Sequence, residues 1–129
     1  MGAWGTGPFD NDGAADLVAE IRYDDFDLDN VAWAFEDPDH MVVDGGQIAI
    51  ALGALIQAVN GLRPGPDDEL DLADFKAQLT PERVAWVRAE MLRAMSDGAV
   101  SEAYDLWEDA GELEAWLEES RACLPPAAD

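Results

Sequence analysis

Apolar residues recur along most of this chain at intervals of three and four, the spacing that gathers them on one face of an α-helix. Ala14, Leu17, Val18 and Ile21 make the first such stripe, after Asp10. Leu28, Val31, Ala32 and Phe35 make a second over 28–36, which Pro38 ends because proline cannot donate to a helical ladder. A third segment runs from Asp44 to Asn60 and closes at Gly61. A short helix is predicted over 71–78. Thr80 and Pro81 read as a cap and a first helical residue. They open a helix that points Val84, Val87, Met91, Leu92 and Met95 inward and stops near Gly98. Ser101 starts a further segment with Tyr104 and Trp107, Gly111 breaks it, and Leu113, Trp116, Leu117 and Leu124 form the last stripe. Strand-like alternation is nearly absent. The pattern predicts an all-α protein, a compact bundle of five to seven helices.

The third segment sets the architecture. GGQIAIALGALIQAVNGL is eighteen residues without a charge, at the lower edge of membrane-spanning length. Gln47, Gln57, Asn60 and four glycines suit lipid badly, so it is read as a central helix that the others wrap. One domain over 1–129 follows, with a surface loop at 61–70 and a frayed tail at 125–129.

The opening stretch, MGAWGTGPFDND, fits no phosphate loop: its glycines have the wrong order, and Asp10, Asp12 and Asp16 would repel the ligand. MGAWGT also matches the loose N-myristoylation pattern, but the flanking acids oppose the basic second signal that stable anchoring needs. A structural latch over 1–9 is the better reading. Trp4 and Phe9 fold back over the helices, because exposing them forfeits about 2 kcal/mol each. Asp10 or Asn11 caps the first helix, and Asp12 complements its dipole.

The same stretch resembles the signature of a bacterial family described as domain of unknown function 4259. The matching positions are Trp4, Gly5, Gly7, Phe9, Asn11, Asp12, Ala15 and Asp16. That resemblance implies a small helical domain and carries no catalytic residues with it.

Composition narrows the partners. Twenty-nine acids against seven bases give a formal net charge of -22 over 129 residues. Direct binding to nucleic acid or an anionic membrane is uphill for such a surface, whereas a basic protein is attracted. The single cysteine, Cys123, excludes an internal disulfide, and nothing resembles a signal peptide, so a cytoplasmic location is expected.

Candidate chemistry is sparse. Asp25, Asp27, Asp29 and Glu36 occupy positions 1, 3, 5 and 12 of an EF-hand calcium loop. Asn30 stands where that loop wants glycine, and Ala32 where it wants a large aliphatic residue. Helix capping by Asp27 or Asp29 explains the same spacing. His40 is the lone histidine, in a loop, and nothing in the sequence pairs it with Cys123 near the chain's end. A carboxylate-pair hydrolase stays formally open, but so many acids make any chosen pair arbitrary. The most acidic run, SEAYDLWEDAGELEAWLEES, carries Glu102, Asp105, Glu108, Asp109, Glu112, Glu114, Glu118 and Glu119 without a base. Trp107 and Trp116 lie among them, as interface anchors or as core. The expectation is a non-enzymatic binding protein, without a cofactor, that uses this acidic surface on a basic protein partner. An inhibitor, an immunity protein and a nucleic-acid mimic all fit that charge. A calcium-responsive module is the alternative.

Overall fold

The uncharged helix does lie at the centre. In the structure, a computed structural model describing residues 3–66 and 69–125, α2 (Val43–Val59) is buried at every position from Gly45 to Ile56. Around it pack α1 (Asp12–Arg22), a 3-10 segment (Leu28–Phe35), α4 (Pro81–Ala94) and α5 (Glu102–Asp109). The short α3 (Ala73–Ala77) precedes α4, and α6 (Leu113–Arg121) packs on α5. Among the described residues the protein is an all-α bundle of seven helical elements. Burial of Ile50, Leu52, Leu55 and Ile56 alone is worth about 1.5–3 kcal/mol per side chain, which explains why α2 is covered on all sides. Among the described residues, no helix is long and apolar enough to cross a membrane.

Helix ends follow local chemistry. Asn11 Oδ1 accepts from Ala14 N at 2.8 Å, Thr80 Oγ1 from Arg83 N at 3.1 Å, and Ser101 Oγ from Tyr104 N at 3.2 Å. Gly61 and Gly111 take the positive φ that stops α2 and α5 (75° and 76°). α4 ends at Ala94, one turn short of the predicted stop, and Leu92 is exposed rather than inward.

The second predicted helix is a 3-10 turn sequence, and its burial shows why. Leu28, Val31 and Ala34 are buried at intervals of three, matching three residues per turn, whereas Ala32, expected on the inner face, is exposed. Phe35 continues the buried edge and meets Trp86 of α4 edge-on, with ring centroids 5.3 Å apart. Trp107 and Trp116 stack at 6.5 Å and are buried, so both belong to the α5–α6 core.

Arginines staple the segments onto this core. Arg93 donates to the carbonyls of Asp37 (2.7 Å) and Phe35 (3.4 Å), fixing the end of the 3-10 segment to α4. Its partner Glu90 lies 3.1 Å away, and burial pushes that carboxyl above its ordinary range although Arg93 pulls the other way. Arg83 holds the Gln78 carbonyl at 2.6 Å and the Asp29 carboxylate at 3.1 Å. Gln78 meanwhile accepts from Leu28 N and donates to the Phe26 carbonyl. The chain's C-terminal strap is tied in the same manner: Gln57 donates to Leu124 O, Arg88 to Pro125 O, and Arg63 to Cys123 Sγ.

Two expectations change here, one at the C-terminal strap and one at the N-terminal loop. Cys123 is fully buried, and burial raises its thiol pKa against the pull of Arg63. Pro125 is buried as well, so the frayed tail does not begin there; residues 126–129 lie outside the described residues, as does the Gly2 of the acylation pattern. The N-terminal loop folds back, but not by tucking in its tryptophan. Trp4 is 65% exposed. Its backbone N–H instead donates to Asp10 O at 2.9 Å, Ala3 bridges Asn11, and Phe9 is the aromatic packed against the core. The Asp10 carboxylate fills the loop so closely that a Cβ at Gly5 or Gly7 would come within 2.7 Å of Oδ2. Asp10 therefore braces the loop, and Asn11 does the capping.

One close approach gives a test. A Cβ at Gly53 would collide with the Met91 side chain and lie 2.9 Å from the Cys123 carbonyl. Alanine gains about 0.5–1 kcal/mol of helix propensity. Overpacking costs about 1–3 kcal/mol, so the clash wins. Gly53→Ala is expected to melt several degrees below wild type in a circular-dichroism melt; a higher melting temperature would mean that α2 and α4 pack more loosely.

Candidate functional site

The acids with calcium-loop spacing serve the local fold instead. Asp27 Oδ1 accepts from Asp29 N at 2.9 Å and caps the 3-10 segment. Asp29 turns to Arg83, and Glu36 is exposed just past the segment's last residue. The stretch that would have to wrap a calcium ion is itself helical. Among the described residues, no three His, Cys, Asp or Glu side chains converge as metal ligands. The EF-hand reading is corrected on that geometry: its spacing belongs to a helix cap and an ion pair.

The acidic run over α5 and α6 divides. Asp105, Glu108, Asp109, Glu112, Glu114, Glu118 and Glu119 are exposed. Glu102 is not free. Its Oε1 accepts from Val43 N at 2.8 Å and so caps the start of α2 from another helix, where Val42 offers no side-chain cap. The Met41–Ser101 bridge lays these two helix starts side by side, with Met41 N bonded to Val100 O at 2.7 Å and Glu102 N to Met41 O at 2.9 Å. His40 is exposed in the neighbouring loop, with Cys123 enclosed elsewhere.

The feature that stands out is a cleft of about 350 Å³ between α1, the start of α2 and the 3-10 segment. Asp12, Asp16 and Glu20 line it from α1, four residues apart and therefore on one face. Asp25 comes from the turn after α1, where Asp24 adopts φ 60°, and Asp44 from the first turn of α2. Leu17, Val31 and Ile48 give it an apolar floor, and Trp33, 54% exposed, stands in its wall. No base lines it.

These carboxylates differ in what explains them. Asp12 and Asp44 sit in first turns, where they complement helix dipoles. Asp16 and Glu20 have no such role, and each like-charge neighbour four residues away costs α1 a few tenths of a kcal/mol, ~0.2–0.5. Gly13 N donates to Gln47 Oε1 at 3.0 Å, which pins the α1 face against α2 and holds the cleft's shape. Of the residues expected to act, only Asp25 belongs to this cleft. The four-residue acid repeat on α1 was visible in the sequence; the approach of Trp33 was not, because it depends on the 3-10 turn.

A family model described as "Domain of unknown function (DUF4259)" matches residues 2–119. The chain belongs to the DUF4259 family. The match takes in the N-terminal loop, the whole cleft and the acidic run, so this DUF4259 protein presents both acidic features within its family region. No curated protein and no solved structure gives a significant match to the chain.

The Glu102 contact is directly testable. Glu102→Ala is expected to lower stability by about 0.5–2 kcal/mol, the cost of losing a helix cap. Glu102→Gln, which keeps an acceptor, loses less, and Glu108→Ala leaves the melting temperature unchanged. Equal effects at positions 102 and 108 would refute the cap.

Proposed function

We propose that this DUF4259 protein is a non-enzymatic binding protein that receives a basic protein partner, with the α1 cleft taking a lysine or arginine side chain. The observation that carries this reading is the cleft's lining among the described residues: five carboxylates, no base and an exposed indole. A cation there is attracted by the carboxylates that line the cleft, and tryptophan is the best aromatic face for a cation–π contact.

How the arginines are used supports it. Four of the six, Arg63, Arg83, Arg88 and Arg93, donate to backbone carbonyls or to the Cys123 thiol. Seven bases against twenty-nine acids leave a net charge of -22, and the resulting field steers a basic surface toward the protein. The exposed acids of α5 and α6 add to that field. An inhibitor of a basic enzyme or a mimic of nucleic acid would exploit such a surface.

A lysine- and arginine-rich peptide titrated into the full chain by calorimetry tests the proposal. Binding is expected to weaken as salt rises, because exposed charges are screened over about 8 Å at physiological ionic strength. Trp33→Ala should cost on the order of 0.5–1 kcal/mol. Asp16→Asn with Glu20→Gln should weaken binding further, whereas Glu114→Gln with Glu118→Gln should have less effect. Salt-independent binding, or equal losses from the two acid pairs, would overturn the cleft as the receiving site.

A further inference from the structure

A second cavity has the opposite character. It measures about 420 Å³ and lies where the end of α2 meets the α3–α4 turn and the C-terminal strap. Ile56, Val59, Leu79, Pro81, Val84 and Pro125 give it an apolar wall. Among the described residues no acid lines it, although acids outnumber bases about fourfold in the chain and line both other described cavities. Its one charged group is Lys76, the chain's single lysine, which is exposed and pairs with no acid among the described residues. Asn60 and Thr80 complete the lining, with the Thr80 hydroxyl already accepting from Arg83 N.

We propose that this groove binds an amphipathic carboxylate, a small molecule with an apolar body and one anionic head. The body lies along Ile56, Val59, Leu79 and Val84, displacing water from apolar surface, and the carboxylate pairs with Lys76. The argument is one of complementarity. A mostly apolar cavity with few polar groups is the usual form of a small-molecule site, and about 420 Å³ lies within the usual range of roughly 300–1,000 Å³. A lone lysine in a wall to which no described acid contributes selects an anion over a neutral or cationic ligand of the same shape. The strap adds definition: Arg88 holds the Pro125 carbonyl at 3.1 Å and Gln57 holds that of Leu124 at 2.8 Å, so the Pro125 side of the groove is fixed. This site is separate from the acidic cleft and does not rest on the function proposed for it.

Salt separates the two sites. The protein's net charge of -22 repels an anion at long range, so screening strengthens carboxylate binding while it weakens a basic peptide in the cleft. The test titrates decanoate and, in parallel, decanol into the full-length chain and follows methyl resonances by NMR. Saturable shifts at Ile56, Val59, Leu79 and Val84 are expected, with decanoate binding at least fivefold tighter than decanol and tighter still at higher salt. Lys76→Gln, an exposed substitution that leaves the fold intact, should remove that preference without abolishing decanol binding. Equal affinity for the two ligands, an unchanged preference in the variant, or shifts centred elsewhere would overturn the proposal. A concentration-dependent dimer that protects these methyls would overturn it too, by making a second copy the occupant.

Discussion

A helix that is apolar around its whole circumference constrains everything built near it. α2 has no face to offer water between Gly45 and Ile56, so its neighbours must close around it from all sides. α1 and α4 do most of that covering, and α5 and the 3-10 segment fill the remaining flanks. Its ends need separate solutions. Val42 brings no cap, so Glu102 reaches across from α5, and Gly61 takes the left-handed turn at the other end. The covering elements are short, and apolar contact leaves their termini and loops undetermined. Arginine and glutamine side chains fix those by holding carbonyls of distant segments.

That division of labour links the fold to the surface. Three of the six arginines donate to backbone carbonyls, and seven bases cannot in any case neutralise twenty-nine acids. The two ion pairs described, Arg83 with Asp29 and Arg93 with Glu90, both help hold the 3-10 segment in place. The acidic exterior therefore follows from composition, while the arginines tie segments of the chain together. The cleft concentrates that charge because the repeat on α1, the first turn of α2 and the turn at Asp25 meet there.

Much of this was legible in the sequence. The stripe in α1, the uncharged α2, the Thr80–Pro81 start of α4 and the stops at Gly61 and Gly111 depend on neighbours within a turn or two, and they were read correctly. What escaped depends on distant partners. Ala32 and Ala34 trade places because the segment follows a three-residue period, stabilised by Arg83, Gln78 and Arg93 from fifty or more positions away. Glu102 looked like one more surface acid until Val43, fifty-nine residues earlier, proved to need it. Trp4 shows the limit of assigning every large apolar residue to the core, since a backbone bridge and the Asp10 carboxylate order its loop while the indole stays outside.

The burial of α2 on every side is the claim on which the rest stands. Ala49, Ala51, Leu52 and Ala54 point in widely separated directions around the helix, and each is fully buried. Replacing each in turn with aspartate and recording a thermal melt tests all four directions at once. All four variants should lose cooperative folding or melt far below wild type, because a buried unpaired charge costs several kcal/mol, roughly 3–5. Any one of them melting like wild type would show that α2 has an open face, and the account of the fold would fail.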